Sequence, residues 1–102
     1  MHARVTQLRV KPGHWREFLD GMGSLMPDLR KQAGFRSFVA LRTGPDPSPE
    51  VTTITVWDSV DDLKATEKNL FYTRALSRLV AYCEGFPGIR EHEVVLAEFA
   101  AD

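Results

Sequence analysis

Residues 3–10, ARVTQLRV, alternate weakly between polar and apolar positions and stop at Pro12-Gly13, which predicts a strand closed by a turn. Past the turn the period lengthens. Trp15, Phe18, Leu19, Met22, Leu25 and Met26 recur at three- and four-residue steps, placing one apolar stripe on a helix whose Arg16, Glu17 and Asp20 face water. Gly21 and Gly23 each weaken that helix by about 1 kcal/mol, so the stripe must carry it. Pro27 removes a backbone donor and should kink or end it. Helical spacing already accounts for the methionines and aromatics as core, ahead of any cofactor box.

GFRSFVALRT, residues 34–43, reads as a second strand, and GPDPSPE, residues 44–50, as a loop because its prolines cannot donate to a ladder. VTTITVW, residues 51–57, is then a third strand, antiparallel to the second. Ser59 is placed to cap the next helix, with Asp62 three positions on completing a weak capping box. Asn69 offers a second cap. The expected helices run over 60–67 and 70–83, the longer one gathering Phe71, Tyr72, Ala75, Leu76, Leu79, Tyr82 and Cys83 on one side. Gly85, Pro87 and Gly88 interrupt the pattern, and HEVVLAEF, residues 92–99, predicts a last strand.

The order β, α, β, β, α, β is the split βαβ pattern of a ferredoxin-like α+β fold: a four-stranded antiparallel sheet with the helices on one face. The face away from the helices should be polar in a monomer. In the second strand, however, Phe35, Val39 and Leu41 share one face and Phe38 and Ala40 the other, while Val94 and Leu96 oppose Val95, Ala97 and Phe99 in the last. Both faces therefore call for burial. Two sheets packed face to face would supply it, so a homodimer is expected, unless one face merely tolerates scattered apolar residues.

Composition narrows the partners. With 43% hydrophobic and 26% charged residues, the 102-residue chain reads as one domain, 1–102, without disorder or fibrous bias. A fold of this length buries only about 60 to 70% of its unfolded surface, which again favours self-association. Thirteen basic against fourteen acidic residues, in no long run of one sign, give nothing to steer nucleic acid or anionic lipid. No segment approaches the roughly 20 apolar residues of a membrane span, and neither export nor an anchor is indicated. Cys83 is the one cysteine, which excludes an intrachain disulfide or a CxxC pair and suits a reducing cytoplasm. A lone cysteine of this kind is ordinarily a small buried apolar group.

The strand-to-helix turn at Pro12-Gly13, the Gly34-Phe35 step and Trp57-Asp58-Ser59 followed by Leu63, taken in this order and spacing, resemble the antibiotic biosynthesis monooxygenase domains of the dimeric α+β barrel superfamily. The resemblance spans about residues 4–99. It implies two ferredoxin-like protomers pairing their sheets into a barrel, each with a cavity between sheet and helices. Some members oxidise polycyclic phenols to quinones without a cofactor, others break down haem, and many have no assigned activity. Phenol-oxidising members surround the substrate with an Asn four positions before the Trp, a Tyr six after it and an Arg a helix further on. Here those positions hold Thr53, Leu63, and Ser77 or its neighbour Arg78, so only Trp57 is kept outright. Residues 60–83 contain no His or Trp, which disfavours haem degradation by the route of the haem-degrading members, and Thr66 stands where a quinol-oxidising branch carries His.

Cofactor-free oxygenation needs an electron-rich phenolate or enolate, shielded from water, beside groups that stabilise negative charge. Trp57 is a candidate pocket wall with an indole donor, though a tryptophan at a strand–helix seam is first of all a plug. Tyr72 and Tyr82 face inward on the helical spacing, and Tyr72 is the better placed to line a cavity. Arg78, at the border of the apolar stripe, could hold an anionic substrate or lie solvated along the surface. The expected substrate-binding residues are thus Trp57, Tyr72 and Arg78, with no general base identified. His2, His14 and His92 lack the paired spacing of a metal site, and in EHE, residues 91–93, the histidine opposes its two glutamates; no metal and no cofactor is expected. Gln7 shares a face with Arg9 and could present its amide to a cavity or to the dimer barrel.

The expected function is cofactor-independent oxygenation of a small aromatic phenol or quinol by a cytoplasmic homodimer. The alternatives are a non-catalytic small-molecule-binding or dimerisation domain of the same fold, or a lyase or isomerase on that scaffold.

Overall fold

The computed structural model describes residues 1–100. Its elements run β1 (His2–Val10), α1 (Trp15–Ser24), α2 (Met26–Arg30), β2 (Phe35–Thr43), β3 (Glu50–Trp57), α3 (Val60–Lys68), α4 (Phe71–Val80) and β4 (Cys83–Glu93). The strands form one antiparallel sheet in the order β2-β3-β1-β4, the ferredoxin-like arrangement expected from the alternating periods.

On β1, Arg4, Thr6, Leu8 and Val10 point toward the helices, and on β3 Val51, Thr53, Thr55 and Trp57 do the same; these eight positions interleave across the β1–β3 ladder. Two apolar clusters rise from this floor. One joins Leu8, Val10 and Val51 to Phe18, Met22, Leu25 and Leu79; the other packs Leu29 and Leu63 on Trp57.

Pro27 ends the first helix as its chemistry requires, but the chain turns helical again at once. α2 starts at Met26 and holds Pro27 in its first turn, where a missing N–H breaks no intrahelical bond. The second helical region begins at the expected cap: Ser59 Oγ accepts from the Asp62 amide at 3.1 Å, and its hydroxyl donates to Asp62 Oδ2 at 3.0 Å. Asn69 Oδ1 likewise accepts from the Phe71 amide at 3.0 Å as α4 opens.

Three expectations need correction. The helix expected over 70–83 stops at Val80, and Cys83 already belongs to β4. The last strand is Cys83–Glu93, so Gly85, Pro87 and Gly88 lie inside it, and residues 94–100, which carry Val94 through Phe99, have no regular structure. The reason is position: β4 is an edge strand, where a proline costs no ladder bond, and a register irregularity opposite Gln7 and Arg9 absorbs the glycines. In β2 a register shift between Phe35 and Ser37 returns Phe35 to the helix side, where its ring meets Trp57 edge-on at 5.7 Å, together with Phe38.

The open face keeps an apolar stripe across three strands, Val39 beside Ile54 beside Val5, and is polar toward β4, where Arg90 and His92 stand opposite Val5 and Ala3. Val39 and Leu41 are 46% and 47% exposed there. No helix among the described residues is long and apolar enough to cross a membrane.

Candidate functional site

Between the β1–β3 floor and the helices lies a narrow pocket of about 70 Å³. Its lining is mostly apolar, with Met22, Leu25, Leu29, Leu76 and Leu79 from the helices and Leu8, Phe38 and Trp57 from the sheet. Polar side chains gather on one part of the floor. Because β-strand side chains repeat every second residue, Arg4 and Thr6 of β1 meet Thr55 and Thr53 of β3 side by side, and Thr66 of α3 and Tyr72 of α4 close over them.

Arg4 is the electrostatic centre of this floor. Its side chain is only 3% exposed, and burying a guanidinium is tolerable only when it is paired and hydrogen-bonded. Nη2 donates to Glu67 Oε1 at 2.6 Å, Nη1 reaches Thr66 Oγ1 at 3.3 Å, and Glu91 lies at 3.8 Å. The guanidinium also stacks 3.7 Å above the Tyr72 ring, and the Tyr72 hydroxyl lies 3.5 Å from Thr6 Oγ1.

Trp57 is both plug and wall. It is 1% exposed, packed on Leu29, Leu63 and Phe35, yet it also borders the pocket. Its indole N–H donates to Thr55 Oγ1 at 3.0 Å, which fixes the ring and spends its donor within the floor. Tyr72 lines the pocket as well. Arg78 does not: it is exposed, lines an adjoining groove, and reaches Ser24 Oγ at 3.4 Å. Tyr82 lies beyond the end of α4 and stacks on His14 at 6.0 Å between ring centres, outside the pocket.

Thr53 and Thr66 both reach the pocket, whereas Leu63 is fully buried in the Trp57 cluster. Arg4 was not legible as a site residue. Its signal was present: it shares a strand face with Leu8 and Val10, and a charge on a core-facing register has a partner to find.

Among the described residues no group of three or more His, Cys, Asp or Glu is disposed to hold a metal ion. His92 projects to the open face beside Ala3, and His14 lies 3.0 Å from Glu17 at the start of α1. Cys83 is buried, its thiol donates to the Leu79 carbonyl, and burial pushes its pKa up, with Lys11 opposing the shift. It is an inert core thiol.

Residues 1–78 match the model of the family described as antibiotic biosynthesis monooxygenase. No curated protein matches the chain in sequence. Among solved structures, a Nitrosomonas europaea protein of unknown function superposes with a TM-score of 0.79 at 20% identity, covering 99% of this chain and 95% of that one. A variant of SnoaB, a cofactor-independent oxygenase from Streptomyces nogalater, gives 0.73 at 15% identity over 94% of each chain. At this identity both likenesses speak for the fold alone. An anthrone oxidase-like protein gives 0.73 at 25% identity; this chain is covered to 93% but spans only 44% of that protein.

Proposed function

This chain belongs to the antibiotic biosynthesis monooxygenase family, and we propose that it oxidises a small aromatic phenol or quinol with molecular oxygen and no cofactor. The observation that carries this reading is a narrow, largely apolar pocket between sheet and helices, bordered by Trp57 and Tyr72 and by the hydroxyls of Thr6 and Thr53. Ring burial removes water, and the hydroxyls of Thr53 and Tyr72 are the groups that would turn toward a ring oxygen bearing negative charge, which is where electron release to oxygen begins. For a phenol the balance is simple. One oxygen atom becomes the new carbonyl, the other leaves as water, and the ring gives up two hydrogens.

In this reading Trp57 and Tyr72 are walls that orient the ring, and Arg78 meets the part of the substrate left at the mouth. No carboxylate or imidazole lines the pocket among the described residues. The phenolic proton therefore has to leave to water, so that uptake should rise with pH toward the substrate's own phenolic pKa. The same feature supports the second reading, a binder of such compounds without turnover.

Oxygen uptake with a panel of naphthols, anthrones and quinols is the test. Uptake with quinone formation is expected. Ligand-dependent rises in melting temperature without uptake would support the second reading, and neither response would remove both.

The assembly in this proposal is a homodimer in the cytoplasm, with two open sheet faces clasping so that Val39, Leu41, Ile54 and Val5 leave water. Sedimentation at low micromolar concentration should give a dimer, and Val39→Asp should shift it to a monomer. A wild-type monomer at that dilution overturns the assembly.

A further inference from the structure

An open groove on the helix side leads into the pocket and shares Leu25, Phe71 and Ala75 with its wall. The pocket is lined mainly by apolar groups, whereas this groove is charged: Lys31, Arg74 and Arg78 line it against a single carboxylate, Asp28. Three cations less one anion leave a local charge of +2 in a chain whose net charge is −1.

The three cations are exposed, and among the described residues none of them has a salt-bridge partner. Elsewhere Arg9, Arg36 and Arg42 each hold a carboxylate. Arg74 and Arg78 sit four residues apart on α4, on one face of the helix, where like charges repel. An arrangement that is unfavourable by itself becomes favourable when an anion lies between the side chains. Asn69 Nδ2 donates to Gln32 Oε1 at 3.0 Å across the groove, and Asn69 Oδ1 accepts from the Phe71 amide at the first turn of α4, which carries both arginines.

We propose that this groove reads an anionic substituent, so that the ligand is an aromatic acid whose rings enter the pocket while its carboxylate stays outside among Lys31, Arg74 and Arg78. The inference rests on the pocket reading above and adds the substrate's second polar end. Such a division follows from solvation: taking a carboxylate into the apolar roof would cost several kcal/mol, whereas at the mouth it keeps water and gains three cations.

The experiment is calorimetric titration without oxygen, comparing a naphthol with the hydroxynaphthoate that adds one carboxylate to it. Exposed ion pairs give up to about 1 kcal/mol each, so the hydroxynaphthoate is expected to bind about tenfold tighter. That advantage should fall to about twofold in the Lys31→Gln, Arg74→Gln double variant, and in about 1 M salt, where charges are screened beyond roughly 3 Å. Both positions are exposed, so the variant's fold is not at stake. Equal affinity of the two probes for the wild type overturns the groove reading and leaves the pocket reading standing. An advantage that survives in the double variant also overturns it. If neither probe binds, both readings fall together, and binding without later oxygen uptake affects only the proposed turnover.

Discussion

Replacing Trp57 by Phe separates the two roles of this side chain. The indole is 1% exposed and wedged among Leu29, Leu63 and Phe35, so the smaller ring leaves space that its neighbours cannot fully fill. The ring difference withdraws roughly 40 Å² of buried apolar surface, about 1 kcal/mol at 25 cal/mol per Å². A residual cavity of roughly 40 Å³ adds about 1 kcal/mol. The indole donor to Thr55 Oγ1 at 3.0 Å is also lost, and a neutral hydrogen bond contributes about 1 kcal/mol, less here because the threonine hydroxyl can turn toward the pocket. The sum is about 2 to 3 kcal/mol. For a chain of this size the urea slope is about 1 to 1.5 kcal/mol per M, so the unfolding midpoint should fall by well over 1 M with the slope unchanged. A shift below about 0.3 M would refute the packing argument, because neither the burial nor the hydrogen bond would then matter to the fold. Binding of a naphthol to the folded variant reads the second role: a weakened complex marks Trp57 as a wall, and unchanged affinity leaves it a plug only.

Other outcomes follow from single groups. Arg4→Met removes a buried guanidinium whose partner Glu67 is half-exposed, so the loss should be about 1 to 2 kcal/mol, seen as a melting temperature lower by several degrees; an unchanged melting temperature would show the pairing to be idle. Gly34 has φ +77°, and a Cβ there would overlap the Asp62 side chain that accepts from the Ser59 cap of α3, so Gly34→Ala should cost about 1 to 3 kcal/mol in a urea titration. The Cys83 thiol, raised by burial, should resist iodoacetamide in the folded protein and react once unfolded. The sign for stability follows: the folded state holds this proton more tightly, so its contribution is complete below the unfolded thiol's pKa of about 8.5 and declines as pH rises past it. Cys83→Ala should abolish that alkaline decline, measured by urea midpoints across pH.

The expected elements and topology agree with the structure wherever local chemistry dominates. Alternation set β1, β2 and β3, the three- and four-residue steps set α1, and Ser59 with Asp62 set the start of α3. Local chemistry misled at the C-terminal end. CEGFPGIREHE reads as a break followed by a strand, because its glycines and proline look like turn signals, yet pairing with β1 along a sheet edge makes them strand residues. The apolar residues after Glu93, which mimic a strand, have no neighbour to pair with beyond the Val94 amide on the Met1 carbonyl. Phe35 departs from the alternation for a related reason: a bulge flips the face of a residue, and nothing in the pattern of FRSFVALRT encodes it.

The chain's one-dimensional pattern thus determined a split βαβ sheet, its helix caps and a tryptophan at the seam of strand and helix, since each depends on residues within a few positions of one another. Tertiary structure alone decided the site. Arg4 meets Thr66 and Glu67 across more than sixty residues of sequence, and no short-range rule places a guanidinium of the first strand against that glutamate. It also decided that Arg78 lines the groove outside the pocket, because α4 packs on the core through Leu79 and Ala75 and leaves Arg78 exposed.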